Sequence, residues 1–101
     1  MTDTPTPRPD AHLDHVKAGP GGAMTDEVGV ITGDLTVATS PLSDGRAAVL
    51  VQYTDADEWY TLTGSPAPVP PGGLTHLHAA VLDRVRQGGG ARVPNEGERP
   101  A

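Results

Sequence analysis

Between Leu74 and Val85, apolar residues recur at the three- and four-residue steps of one helix face: Leu74, Leu77, Val81, Leu82 and Val85, with His78 among them. Gly88 supplies a stop, and Arg84 and Arg86 carry positive charge toward the carbonyl end, where it is favourable. A single amphipathic helix is stable only if something covers its apolar stripe. The remaining chain is poor in cover. Of 101 residues, 13 are Gly and 11 Pro, and there is no Phe and no Cys. That length allows one small domain.

The cover is a sheet. Ala47–Thr54 and Trp59–Thr63 are rich in β-branched and aromatic residues, and the acidic stretch Asp55-Ala-Asp-Glu58 between them suits a hairpin loop. A four-residue loop sets Tyr53 opposite Tyr60 and Val51 opposite Leu62. Val51, Tyr53, Tyr60 and Leu62 then share an apolar face, while Leu50, Gln52, Thr54, Trp59, Thr61 and Thr63 share the other. Upstream, Ile31–Thr39 alternates as well, and pairing Val37 with Val49 adds Ile31, Leu35 and Val37 to the apolar face. Residues 31–39 read as one long strand; a turn at Gly33-Asp34 would instead divide residues 28–39 into two. Ser65–Gly73 reads as a stiff, polyproline-like connector. The expected fold is therefore α+β: a three-stranded, or with that turn four-stranded, antiparallel meander packed on one C-terminal helix.

Composition sets the expected boundaries. Residues 1–25 hold several prolines, a Gly19-Pro20-Gly21-Gly22 run and few large apolar groups, so they read as a flexible arm, with at most a short helix over 10–18. Residues 26–88 form the β-β-β-α domain, and residues 89–101 a flexible tail. The glycine runs at 19–22 and 88–90 lack the Lys-Ser/Thr of a phosphate loop and read as linkers.

Charge narrows the partners. The formal net charge is −6, which disfavours nucleic acid and anionic membrane surfaces, since both require Lys and Arg. Residues 26–88 carry eight acids against three arginines, and seven of those acids precede Trp59. A basic protein surface is the natural complement. The longest apolar run, Ala47–Val51, is too short for a membrane span, and the first residues lack the pattern of a secretory signal, so a cytoplasmic location is expected. Single Lys, Ile and Asn residues amid abundant Ala, Gly, Pro and Asp are the usage of a GC-rich genome.

Candidate chemistry is sparse. No nucleophile motif is present and no histidine is placed beside a hydroxyl, so no catalytic residue is assigned and a non-enzymatic role is expected. His12 and His15 stand three apart without an identifiable third ligand, His76 and His78 are too far around a helix to chelate jointly, and His78 falls on the apolar face as a packed imidazole. No metal or cofactor is assigned. Asp55, Asp57 and Glu58 read as a solvated turn without calcium-loop spacing. Trp59 alone looks out of place on a polar face. With Leu50, Gln52, Thr54 and Thr61 it forms the candidate interaction face, for a homodimer packed sheet on sheet or for a basic protein partner. The competing expectation is a small-ligand or metal-binding protein using the Trp59 face or the histidines.

Overall fold

A computed structural model describes residues 5–94. The fold is α+β, with the strand order β1–β4–β5–β6 in an antiparallel sheet, a separate β2–β3 hairpin, and one C-terminal helix. The main strands are β1 (His12–Lys17), β4 (Asp34–Pro41), β5 (Arg46–Tyr53) and β6 (Tyr60–Thr61). The short β7 (Ala67–Pro68) pairs with the start of β5. The hairpin joins β2 (Ala23–Thr25) to β3 (Gly29–Ile31).

Helix α1 (Gly73–Gln87) lies where its periodicity predicts and stops at Gly88, whose N–H reaches the carbonyls of Arg84 and Val85. Leu77, Val81 and Val85 enter one core with Leu35, Val37, Val49, Val51 and Leu62. These strand residues lie on the expected apolar face, but Tyr53, expected beside them, is exposed, and both strand registers differ from the sequence-derived pairing. Val37 pairs with Val51 and not Val49, and Val51 pairs with Tyr60 and not Leu62. Each slip is by two residues, so side-chain parity is preserved. The first slip comes from a tight turn. Leu42 N–H bonds the Arg46 carbonyl, Gly45 takes a positive φ of 84°, and the Asp44 carboxylate accepts the backbone N–H of Arg46. The second comes from a longer loop over residues 54–59, in which Ala56 N–H bonds the Tyr53 carbonyl and the Gln52 amide donates to the Ala56 carbonyl.

Residues 31–39 form neither a single strand nor a hairpin turning at Gly33-Asp34. The ladder breaks at Thr32 and Gly33, and β3 pairs with β2, not with β4. The connector also has a place in the sheet: Ser65 Oγ accepts the Val49 N–H just beyond β6, and β7 continues along the same edge.

The larger correction concerns the ends. Residues 12–17 are neither a mobile arm nor a helix: β1 pairs with β4 along its whole length, from His12 opposite Thr39 to Lys17 opposite Asp34. Its order comes from β4 and from the core that receives Val16, not from its own small apolar content. The glycine runs are not linkers either. Gly19 N–H bonds the Val85 carbonyl, and Gly89, Gly90 and Ala91 donate in turn to the carbonyls of Pro20, Gly21 and Gly22. Two chain segments thus meet backbone to backbone, and at Gly88 the approach leaves no room for a side chain: a Cβ there would stand 2.2 Å from the Pro20 carbonyl oxygen. Beyond this contact Ala91 and Val93 are buried in the core, so the tail expected from residue 89 is structured through residue 94. The rest of the expected arm and tail, residues 1–4 and 95–101, lies outside the described residues.

Candidate functional site

The face of the sheet away from α1 is a grid set by register. One row runs Leu13, Ala38, Leu50, Thr61; the next runs His15, Thr36, Gln52; the third runs Lys17, Asp34, with Thr54 beyond. Of the expected interaction residues, Leu50 is 5 % and Gln52 9 % exposed, so both are largely enclosed within the chain. Thr54 shares a hydrogen bond with Thr36, at 3.2 Å. Thr61 gives both its N–H and its hydroxyl to the two oxygens of the Glu27 carboxylate, each at 2.7 Å. Glu27 and its neighbour Asp26, which accepts from the Thr63 hydroxyl, close the outer edge of β6. Near the opposite end of the face, Arg8 N–H bonds Ser40 Oγ and brings the N-terminal segment onto the sheet. Trp59 itself is half-buried, directly before β6.

The end of the sheet that leads into Trp59 is rich in carboxylates. Asp34, Asp55, Asp57 and Glu58 are exposed at the end of the sheet where β4 begins and β5 ends. Among the described residues none of the four has a lysine, arginine or histidine partner within 4 Å; the ion pairs are Arg8–Asp10, Arg46–Asp44 and His78–Asp14. Tyr60 donates its hydroxyl to Glu58, and that hydrogen bond, with a smaller contribution from desolvation, holds the phenol above its ordinary pKa. Tyr53 is exposed at the same end. Beside it, His15, Val16, Lys17, Asp34 and Thr54 line a cleft of about 240 Å³.

The histidines separate. A strand, unlike a helix, sends residues three apart to opposite faces, so His12 lies on the helix side and His15 on the other. They do not form a pair. His78 is the buried, fully bonded imidazole that its position on the helix suggests. Its Nδ1 meets Thr39 Oγ1 at 2.7 Å, its Nε2 meets Asp14 Oδ2 at 2.8 Å, and the His12 ring lies edge-on to it at 5.6 Å. The order hydroxyl, imidazole, carboxylate is that of a nucleophile relay, but Thr39 is 0 % exposed, and a hydroxyl sealed in the core meets no substrate. Here the relay is a pin joining α1 to β4 and β1. Neither Thr39 nor Asp14 stands out in the sequence. The one available signal is His78 itself, since a buried imidazole requires polar partners.

Among the described residues no group of three His, Asp or Glu is arranged to hold a metal ion, and no helix is long and apolar enough to cross a membrane. Comparison with family models, with curated proteins and with solved structures finds no match for the chain.

Proposed function

We propose that this is a small non-enzymatic interaction protein, cytoplasmic, that works by docking its acidic end against a basic surface of a protein partner. The supporting observation is the set of exposed carboxylates Asp34, Asp55, Asp57 and Glu58, none with a cation within 4 Å among the described residues, at the end of the sheet that carries the exposed Tyr53 and leads into the half-buried Trp59. Carboxylates that have no cation within 4 Å among the described residues can steer and pair with a partner's lysines and arginines, while the aromatic rings add contact area. With Leu50 and Gln52 enclosed, Trp59 and the loop before it carry the contact, and the rest of the originally expected face supports them.

The test is affinity purification from the native host with wild-type and Trp59→Ala baits, at low and high salt. The expected result is a partner with a basic surface, retained at low salt by the wild type and lost with Trp59→Ala. Retention that ignores both the salt and the substitution would overturn the proposal. A second reading, small-ligand binding, draws on the cleft lined by His15, Lys17, Asp34 and Thr54. Trp59 fluorescence titrated with small anionic and zwitterionic metabolites tests it, and saturable quenching would favour it.

A further inference from the structure

The free edge of β1 is self-complementary, and the geometry points to a two-fold homodimer in which β1 of one copy pairs antiparallel with β1 of the other. Hydrogen-bond parity fixes which groups are available. Ala18 N–H bonds the Gly33 carbonyl in the same register that sets Val16 opposite Leu35 and Asp14 opposite Val37. In an antiparallel ladder bonded pairs alternate, so His12, Asp14, Val16 and Ala18 turn their backbone groups toward β4. Leu13, His15 and Lys17 turn theirs outward, and β1 has no second strand neighbour among the described residues. Such an edge is a template for another strand.

The side chains select the occupant and the register. Leu13, the most exposed of the large apolar residues at 56 %, stands in the row Leu13, Ala38, Leu50. Centring the two-fold axis on Leu13 sets Leu13 against Leu13 and extends that apolar row through both copies. The same register places Ala11 opposite His15, where the Ala11 carbonyl can accept while its N–H stays with the Arg8 carbonyl, and, twice over, His12 of one copy opposite Asp14 of the other. His12 and Asp14 then form a non-hydrogen-bonded pair, the closer kind, in which an imidazole N–H can reach a carboxylate. Asp14 is available for it: Oδ2 holds His78, yet the side chain is 59 % exposed. Sliding the copies by two residues sets Asp14 against Asp14 in one direction, and in the other sets Asp14 against Asp10 and Leu13 against Ala11. Sliding by four sets His15 against His15 and Lys17 against Leu13. Lys17, the charge that would guard the edge, lies beyond the paired stretch in the Leu13-centred register. A two-fold axis perpendicular to the sheet keeps both helices on one side, and the small Ala79 and Ala80 follow His78, which stands above His12 and Asp14. The surface is separate from Trp59 and its acidic loop.

Sedimentation equilibrium of the full chain from 5 to 500 μM tests the dimer, and a single introduced cysteine tests the register, because the chain has none. The expected mass rises toward twice 10.4 kDa. Leu13→Cys oxidises readily to a covalent dimer, since directly opposed, hydrogen-bonded residues lie about 5.5 Å apart, within disulfide reach. His15→Cys does not. Leu13→Pro weakens association at least tenfold while thermal unfolding of the monomer stays cooperative, because that N–H faces outward and the fold does not use it. Trp59→Ala leaves association unchanged, so failure here is distinct from failure of the acidic-end contact. A wild-type chain that remains monomeric at 500 μM overturns the proposal, as does a dimer that persists in Leu13→Pro. A disulfide through His15→Cys and not Leu13→Cys overturns the register.

Discussion

Alanine at Gly88 should cost far more than an alanine usually costs at a helix end. Gly88 has φ 78° and ψ −146°, a region nearly reserved for glycine, and forcing another residue there costs about 1–3 kcal/mol. Its new Cβ would also stand 2.2 Å from the Pro20 carbonyl oxygen and 2.5 Å from the Gly19 carbonyl carbon, both backbone atoms that cannot rotate away. Relief requires the two glycine segments to part, which threatens the bonds from Gly89, Gly90 and Ala91 to Pro20, Gly21 and Gly22. At about 1 kcal/mol for each of those hydrogen bonds, the combined loss is about 5 kcal/mol. For a domain whose total stability is of order 5–15 kcal/mol, that leaves little. The control is Gly45→Ala. It too has positive φ, 84°, but nothing lies within 4 Å of the added Cβ, so about 1–2 kcal/mol for conformation alone is expected. Urea unfolding followed by Trp59 fluorescence measures both. Equal costs at Gly88 and Gly45 would refute the reasoning, and would return the glycine runs to the status of linkers.

Further substitutions follow from the packing. Val51→Ala and Leu77→Ala, each opening a cavity between sheet and helix, should cost roughly 1–3 and 2–5 kcal/mol in denaturant unfolding. His78→Ala should cost about 2–4 kcal/mol, because it removes a buried ring and leaves the Thr39 hydroxyl without its partner, while the exposed Arg86→Ala stays within about 0.5 kcal/mol. In a spectrophotometric titration, Tyr60 should ionise above its ordinary value of 10.0, and Glu58→Gln should bring it down. The sign follows from the raised folded value: whatever stability this phenol contributes is fully present below the unfolded pKa and is lost as pH rises through the folded one.

Legibility followed the source of each signal. Helix α1 and the strands β4 and β5 carry their periodicity in large side chains, and because both register slips were even, Leu35, Val37, Val49, Val51 and Leu62 reached the predicted face. The order of β1 is different in kind. Its six residues contribute only Val16 to the core, and they are ordered because β4 offers a complete row of backbone partners. Composition cannot report a partner that lies elsewhere in the chain. The glycine contact is still less visible, since it is made by atoms common to all residues. At the candidate site, the acidic charge and Trp59 were legible as residue types. The Glu27 clasp on Thr61 and the Asp14–His78–Thr39 pin were not, because each joins residues more than 20 apart through a fold that had to be known first.

The claim on which the rest depends is that the two ends of the chain complete the fold and are not appendages to it. Amide hydrogen exchange resolved by residue tests it most directly, at a concentration low enough to keep the chain monomeric. Gly19, Gly89, Gly90 and Ala91 should be protected, as should Asp14 and Val16, to an extent comparable with Val49 and Val51, while their neighbours Leu13 and His15 exchange freely. Exchange at the rate of an unstructured peptide across 12–22 and 88–93, with protection confined to β4, β5 and α1, would contradict the account.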